Sequence, residues 1–216
     1  MATLHCFTDG SCFRNGHPNA VAAWSCIWPD YPSHDKAAKL SMGEVHTNNR
    51  AEYTGCLNAL RTAAFIDPSY KLQLVVHTDS MLLINSMTKW IKGWKKNGWK
   101  TKTQEPVKNI DLLKQLDAEL FLRQLVKFEY VKAHTGGKDW SSIYNDKADR
   151  AAKEACSSRE NEKQPTYQSP VHSSTSHSHT KSPAQSYTQP QTQTSFKSMK
   201  PIQQTKITAF FKSMKN

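Results

Sequence analysis

The sequence predicts an α/β fold, a mixed sheet of five strands with helices on both faces, followed by a disordered tail. Three short β-compatible runs open the chain, separated by loops that contain Asn, Gly, Pro and Asp, which favours an antiparallel meander. Two further strands each lead into a helix, and because a parallel crossover must cover one face of a sheet, helices are expected on both faces. From residue 157 onward Ser, Thr, Gln, His and Pro replace most branched aliphatic residues, so the tail lacks the apolar surface that would offset its chain entropy.

Each element is predicted from its own local pattern. Strands are predicted at β-compatible or apolar runs, at 3–8, 21–28, 37–45, 72–78 and 126–131. Helices are predicted where apolar residues recur at helical spacing, at 49–66, after Asp79-Ser80, at 107–123 and at 146–155. Thr47, Asn48 and Asn49 supply capping residues for the first helix. The predicted order is therefore βββαβα, a further helix, then βα.

Charge and composition limit the classes of function. Of the formal charge of +11, residues 1–156 contribute +5 (21 basic minus 16 acidic) and residues 157–216 contribute +6 (8 minus 2). Both parts therefore attract a polyanion such as nucleic acid, although a basic surface without a ligand is the alternative. Five cysteines without Cys-x-x-Cys spacing predict reduced thiols in an intracellular protein. No 18-residue apolar run and no signal-like N-terminus occur, so neither membrane spanning nor secretion is predicted.

Four carboxylates are the candidates for chemistry. Asp9 closes the predicted first strand, Asp79 closes the fourth, Glu52 lies in the first turn of the first helix, and Asp149 lies early in the last helix. If the first and fourth strands are neighbours, Asp9 and Asp79 stand side by side. Two carboxylates about 4 Å apart repel by roughly 4 kcal/mol at an effective dielectric of about 20, so a cluster needs cations, and oxygen ligands suit Mg²⁺ or Mn²⁺. The alternative is that all four are ordinary surface acids.

Six short segments stand in order along the chain: TDGSC (8–12), TNNRAE (47–52), TDSM (78–81), GWKKNGWKT (93–101), KAHTG (132–136) and NDKADRAA (145–152). Together they resemble type 1 ribonuclease H, over residues 3–156. The resemblance implies the ribonuclease H-like fold. It also implies an endonuclease that hydrolyses the RNA strand of RNA/DNA hybrids with two Mg²⁺ ions, for which Mn²⁺ can substitute, leaving 3′-hydroxyl and 5′-phosphate ends.

The resemblance also implies a role for each site residue. Asp9 bridges both ions, Glu52 and Asp79 complete one metal site, and Asp149 completes the other. His134 assists proton transfer or product release, although a histidine in a loop is in general more often a solvated bystander.

Contacts to each strand of the hybrid are implied in the same way. Lysines and tryptophans interleave over residues 89–100, a combination suited to phosphates and flat surfaces; the alternative is a basic helix whose tryptophans anchor it to the core. The segment resembles the basic protrusion with which the family grips DNA. The implied RNA-strand contacts are Asn15, Asn48 and Asn49. The implied DNA-strand contacts are Thr47, Trp90, Lys92, Lys95, Lys96 and Asn109.

Two positions depart from the family pattern. Val45 stands where the animal enzymes have an arginine in the phosphate pocket, so the grip on phosphate is expected to weaken or to fall to His46. Fifteen residues separate His134 from Asp149, about five more than usual for the family, so GKDWSSIY is expected to enlarge a mobile loop and to change the reach of His134.

The tail carries a second functional pattern. Gln204, Ile207, Phe210 and Phe211 match the motif Q-x-x-[ILM]-x-x-[FY]-[FY], with which replication proteins bind the sliding clamp, proliferating cell nuclear antigen. In one helical turn Ile207 and the paired aromatics form an apolar plug, whereas the alternative is an idle, sticky terminus. The predicted organisation is a catalytic domain at 1–156, a disordered linker at 157–200 and a clamp-binding peptide at 201–216.

Two other classes of protein are weighed against this interpretation. Transposases and domains linked to reverse transcriptases share the acidic cluster, but they lack the basic protrusion together with TNNRAE in a free-standing chain. A clamp-bound, hybrid-binding adaptor without activity would gain nothing from four carboxylates that face phosphate. The expected protein is a monomeric nuclease at the nucleus or another site of DNA replication.

Overall fold

The computed structural model describes residues 2–133 and 136–158. The strands are β1 (Thr3–Phe13), β2 (Val21–Ile27), β3 (Lys36–Lys39), β4 (Gln73–Thr78) and β5 (Val126–Tyr130). The helices are α1 (Asn48–Ile66), α2 (Met81–Asn85), α3 (Ile91–Lys96), α4 (Ile110–Leu122) and α5 (Trp140–Ser157), with a π-helical turn, Ser86–Trp90, joining α2 to α3. His134, most of the predicted linker and the whole clamp-binding segment lie outside the described residues. None of the described helices is long and apolar enough to span a membrane.

The five strands form one mixed sheet in the order β3-β2-β1-β4-β5. β1 runs antiparallel to β2 and parallel to β4, while β3 and β5 are the edge strands. Successive residues of β1 face opposite sides: Cys6 belongs to the apolar cluster that includes Ala51 and Leu60 of α1, whereas Phe7 packs with Ala148 of α5. The predicted fold class, with helices on both faces, is confirmed.

The end of β3 and the start of α5 are among the element boundaries that differ from the prediction. β3 ends at Lys39 instead of residue 45, because the chain turns where the Glu44 amide donates to the Ser41 carbonyl at 2.9 Å. α5 begins at Trp140 instead of residue 146, because the Asp139 carboxylate caps it by accepting from the Ser142 amide at 3.1 Å and from its hydroxyl at 2.6 Å. Most of GKDWSSIY is therefore helix, and its predicted assignment to a mobile loop is wrong. Asp149 lies near the middle of α5, so its predicted place early in the helix is also wrong.

An aromatic cluster anchors the start of α5 on the sheet. The Trp140 ring stands edge-on to His5, Phe7 and His77, with ring centroids 5.2, 5.0 and 5.5 Å away. One turn later Tyr144 lies 5.5 Å from Phe7. Edge-to-face contacts of this kind add to the stabilisation from burying the rings. The residues that sequence analysis assigned to a loop therefore fix the helix that carries Asp149.

His77→Gln is expected to flatten the pH dependence of stability. His77 is buried, and this burial lowers the pKa of its imidazole from 6.5 to about 4. Below pH 6.5 the unfolded chain takes up a proton that the folded protein does not, so stability falls as the pH falls towards 4. Between pH 7 and pH 5 this should remove about 2 kcal/mol from the wild type and much less from His77→Gln. Urea denaturation at the two pH values measures the difference, and equal pH dependence in both proteins would contradict the assignment.

Candidate active site

Parallel pairing of β1 with β4 brings Asp9 and Asp79 together. The register pairs Phe7 with His77, and Asp9 and Asp79 follow two residues further along. One carboxylate oxygen from each of Asp9, Asp79 and Glu52 lies within 4.8 Å of the others. The predicted juxtaposition of the two aspartates is confirmed. Asp9, however, does not close its strand as predicted, since β1 continues to Phe13 and pairs Asp9 with Ser25 of β2.

Gly10 allows Glu52 to reach the two aspartates. A Cβ at Gly10 would lie 2.5 Å from the Glu52 amide nitrogen and 2.9 Å from the Ala51 carbonyl carbon, so α1 crosses β1 closer than any side chain permits. Gly55 lies one helical turn after Glu52 and is also closely packed against the sheet, since a Cβ there would lie 3.0 Å from the Ser25 carbonyl oxygen. The two glycines therefore seat α1 against β1, with Glu52, its fifth residue, above Asp9.

Gly10→Ala is expected to destabilise the fold and to weaken metal binding together. The atoms that its Cβ would meet are main-chain atoms, which cannot move aside as a flexible side chain can. Overpacking of this kind costs about 1–3 kcal/mol, and it would push Glu52 away from Asp9. Chemical denaturation and Mn²⁺ titration measure the two effects. Gly43→Ala is the control, since a Cβ there meets no described atom within 4 Å, and equal behaviour of the two variants would contradict the packing argument.

Burial gives the carboxylates unusual electrostatics. Asp9 is 5% exposed and Glu52 4% exposed. Burial, followed by the charges of Asp79 and Asp149, raises the pKa of Asp9 to about 8, although a hydrogen bond from the Gly10 amide at 2.7 Å opposes the rise. Burial and the charges of Asp9 and Asp79 likewise raise the pKa of Glu52 well above its usual range. At neutral pH this cluster needs either protons or cations.

The donor set fits a divalent cation. All three clustered ligands offer carboxylate oxygen, which hard ions such as Mg²⁺ and Mn²⁺ prefer. Glu52 Oε2 is buried and has no hydrogen-bond partner among residues 2–133 and 136–158. A buried acceptor without a donor is costly, and a cation at this position would satisfy it.

Asp149 approaches the cluster from the other face of the sheet. Its charge and a side-chain hydrogen bond both raise the pKa of Asp9. Its own Oδ2 lies 2.8 Å from Nζ of Lys153, one helical turn later. Ser25, the β2 partner of Asp9, donates from its hydroxyl to the Ala148 carbonyl at 2.8 Å and so ties α5 to the sheet beside Asp149. Ser25 could not be predicted from its local sequence, because only the strand register reveals its place.

The predicted RNA-strand residues gather at the start of α1. The Asn48 amide donates to Asn15 Oδ1 at 3.2 Å, which joins the β1–β2 loop to the helix, and the neighbouring Asn49 is exposed. Thr47 caps the same helix by accepting from the Arg50 amide at 3.2 Å. All four residues thus lie at the start of α1.

The basic segment contains both kinds of tryptophan that sequence analysis considered. Trp94 and Trp99 pack against the core, which favours an anchoring role for these two. Trp90 is 40% exposed and lies in the π-helical turn, 5.7 Å from Trp94 between ring centroids. Lys92, Lys95 and Lys96 are exposed, and Lys95 pairs with Asp117 of α4 at 2.7 Å. The basic segment therefore presents one exposed ring, that of Trp90, together with exposed lysines.

His46 does not replace the missing arginine at Val45. Its Nδ1 accepts from the Ala22 amide at 2.8 Å, and its Nε2 lies 3.2 Å from the Ser41 carbonyl. With one ring nitrogen accepting and the other donating, these contacts match a neutral imidazole. Of the two expectations, that the grip on phosphate weakens or that it falls to His46, these contacts favour the first, since the His46 side chain ties its loop to β2.

Comparison with known proteins identifies the family. A family model described as RNase H matches residues 1–157. Ribonuclease HI of Neisseria meningitidis serogroup B is 39% identical over 151 residues, which cover 69% of this chain and 92% of that protein. The chain belongs to the ribonuclease H family. As a ribonuclease H it is an enzyme of a family that depends on divalent metal ions, which agrees with the carboxylate cluster.

Further ribonucleases H agree in sequence and in fold. Ribonuclease H of Pseudoalteromonas atlantica is 38% identical over 160 residues, covering 74% of this chain and 94% of that protein. Among solved structures, the PFV RNase H domain matches with a TM-score of 0.56 at 23% identity, covering 71% of this chain and 93% of its own. LC9-RNase H1, a type 1 RNase H, matches with a TM-score of 0.55 at 22% identity, covering 72% of each chain. These structural matches support the fold.

Proposed function

We propose that this ribonuclease H hydrolyses the RNA strand of RNA/DNA hybrids with two divalent ions, Mg²⁺ by preference, leaving 3′-hydroxyl and 5′-phosphate ends. The observation that carries the proposal is the cluster of the buried Asp9 and Glu52 with the partly buried Asp79, whose oxygens lie within 4.8 Å of one another. Asp9, Glu52 and Asp79 would hold one ion, and Asp9 with Asp149 would hold the other.

The chain's own residues prepare the site for this chemistry. When bound, the ions supply a water of lowered pKa and stabilise the charge on the leaving oxygen. Glu52 and Asp9, both buried, keep their oxygens directed into the cluster, and the Gly10 amide orients Asp9 through Oδ1. Lys153 orients Asp149 from the next turn of α5. His134 is proposed to assist proton transfer or product release, so that His134→Ala slows cleavage without abolishing it.

The two strands of the hybrid are proposed to bind on either side of this cluster. Asn15, Asn48 and Asn49 would contact the 2′-hydroxyls, which distinguish RNA from DNA, because amides both donate and accept hydrogen bonds. The residues proposed to hold the DNA strand are Thr47, Trp90, Lys92, Lys95, Lys96 and Asn109. The exposed ring of Trp90 suits packing against a deoxyribose, and the lysines suit phosphates.

Cleavage of end-labelled nucleic acids by the full chain tests this proposal. In the presence of Mg²⁺ the RNA strand of a uniform hybrid should be cut internally, while double-stranded DNA and single-stranded RNA stay intact. The products should accept a further nucleotide at their 3′ ends. Binding of the hybrid without cleavage would instead identify a hybrid-binding adaptor.

A tether to the sliding clamp is proposed for the C-terminal segment, on the sequence motif alone. Gln204, Ile207, Phe210 and Phe211 would bind proliferating cell nuclear antigen and place the monomeric enzyme at sites of DNA replication in the nucleus. A pull-down with that clamp should recover the wild-type chain and lose the double variant Phe210→Ala/Phe211→Ala. Equal recovery of the two would rule out the tether.

A further inference from the structure

Arg50 bridges the starts of two helices. Its guanidinium donates to both carboxylate oxygens of Asp111 on α4, at 3.0 and 2.6 Å, and its Nε donates to Glu44 at 2.7 Å. The same guanidinium reaches Asn109 Oδ1 at 3.4 Å, while the Arg50 main-chain amide donates to Thr47 Oγ1 at 3.2 Å. Thr47 caps α1 and is contacted by the main chain of Arg50. Asn109 stands at the N-cap position of α4, makes no side-chain cap bond there, and is contacted by the Arg50 guanidinium.

These contacts fix which hydrogen-bonding groups the two caps present. Arginine only donates, so the Asn109 atom that faces it must be the carbonyl oxygen, which leaves the amide NH₂ to donate elsewhere. Thr47 Oγ1 accepts from the Arg50 amide, which leaves its hydroxyl hydrogen to donate. Asn109 holds this orientation from a left-handed backbone conformation, with φ of 57°. The Thr47 hydroxyl and the Asn109 amide NH₂ are thus both hydrogen-bond donors, as binding of an anion requires.

Arg50 is poorly placed to bind an anion itself. Its side chain is only 13% exposed, and two carboxylates, those of Glu44 and Asp111, surround its charge. It therefore acts through its neighbours. Val45, which stands where the animal enzymes carry a pocket arginine, is 74% exposed and offers no donor from its side chain.

We propose that Arg50 is a positioning residue whose guanidinium orients the Asn109 amide, so that Asn109 and the neighbouring Thr47 hydroxyl both donate to one backbone phosphate of the DNA strand. This inference rests on the proposed function. Arg61 provides a matched comparison, since it also links α1 to α4, through Glu119 at 3.3 Å and Gln115 at 2.9 Å, but it lies about four helical turns from Thr47.

Steady-state kinetics of the full chain on hybrids test the role of Arg50. Each hybrid carries one uncharged methylphosphonate in its DNA strand, and the position of this group is varied. In the wild type one position should raise KM. Arg50→Met should raise KM for the unmodified hybrid about 10-fold, with kcat within about twofold, and should lose the sensitivity at that position. Arg50→Lys should restore part of the wild-type KM and part of the positional sensitivity. Arg61→Met should behave as the wild type.

Asn109→Asp provides a second route if Arg50→Met does not fold. Its carboxylate still accepts from Arg50 but has no N–H to donate, so KM should rise and the same positional sensitivity should disappear. The inference is overturned if Arg50→Met or Asn109→Asp keeps the sensitivity, or if Arg61→Met loses it. A wild type that does not cut hybrids at all would overturn the proposed function, and with it this role.

Discussion

Asp9→Asn is expected to lower the rate of hybrid cleavage by on the order of 10³-fold or more, while binding of the hybrid remains measurable. Asp9 lies between the other acids, since Asp79 and Asp149 both act on its pKa and its oxygen lies within 4.8 Å of Glu52. Asparagine has the same shape and can still accept from the Gly10 amide, but it removes the charge that attracts the ions.

Single-turnover cleavage and hybrid binding, measured on the same preparation, separate the two effects of Asp9→Asn. Asp30→Asn is the matched control, because Asp30 is an exposed aspartate outside the cluster. Cleavage by Asp9→Asn at a rate near that of the wild type would remove Asp9 from the proposed site.

The same substitution is expected to stabilise the metal-free protein at high pH. Burial and neighbouring charges raise the pKa of Asp9 from 3.8 to about 8, so between these values the folded chain binds more protons than the unfolded chain. Stability of the metal-free wild type therefore falls as the pH rises through this range. At pH 9, with EDTA present, Asp9→Asn should gain about 3 kcal/mol or more.

Thermal and urea denaturation with EDTA at pH 5 and pH 9 measure this gain. Adding Mg²⁺ should narrow the difference at pH 9, because ions that bind only the folded wild type stabilise it. A gain in the free energy of unfolding that does not depend on pH, or an equal gain in Asp30→Asn, would show that the charges of the cluster do not destabilise the metal-free protein.

The alternation of strands and helices predicted the mixed sheet. It placed Asp9 beside Asp79 only on the condition that the first and fourth strands are neighbours, which the structure meets. Apolar runs mark strands, and two consecutive strand–helix units force a parallel crossover. The position of Asp9 inside β1 could not be predicted. Residues 11–13, which follow Gly10, have no distinctive strand pattern and are held in the sheet by their pairing with β2.

Contacts between distant residues explain what sequence analysis missed. The early start of α5 depends on the Asp139 cap and on the packing of Trp140 against His77, which is 63 residues earlier in the chain (140 minus 77). Ser25 acquires its role from strand register, and His46 is engaged by the main chain of β2. The contacts of Trp140, Ser25 and His46 join residues far apart in the chain and leave no local pattern in the sequence, whereas the Asp139 cap is local. Glu52 and Asp149 were predicted from the motifs that contain them.

Titration of Mg²⁺ against hybrid cleavage by the full wild-type chain tests the central claim most directly. The clustering of Asp9, Glu52 and Asp79, whose oxygens lie within 4.8 Å of one another, predicts no cleavage in EDTA, a rate that rises with Mg²⁺ until the site is filled, and restoration by Mn²⁺. Cleavage of the RNA strand that continues undiminished in EDTA would contradict a metal site at these carboxylates.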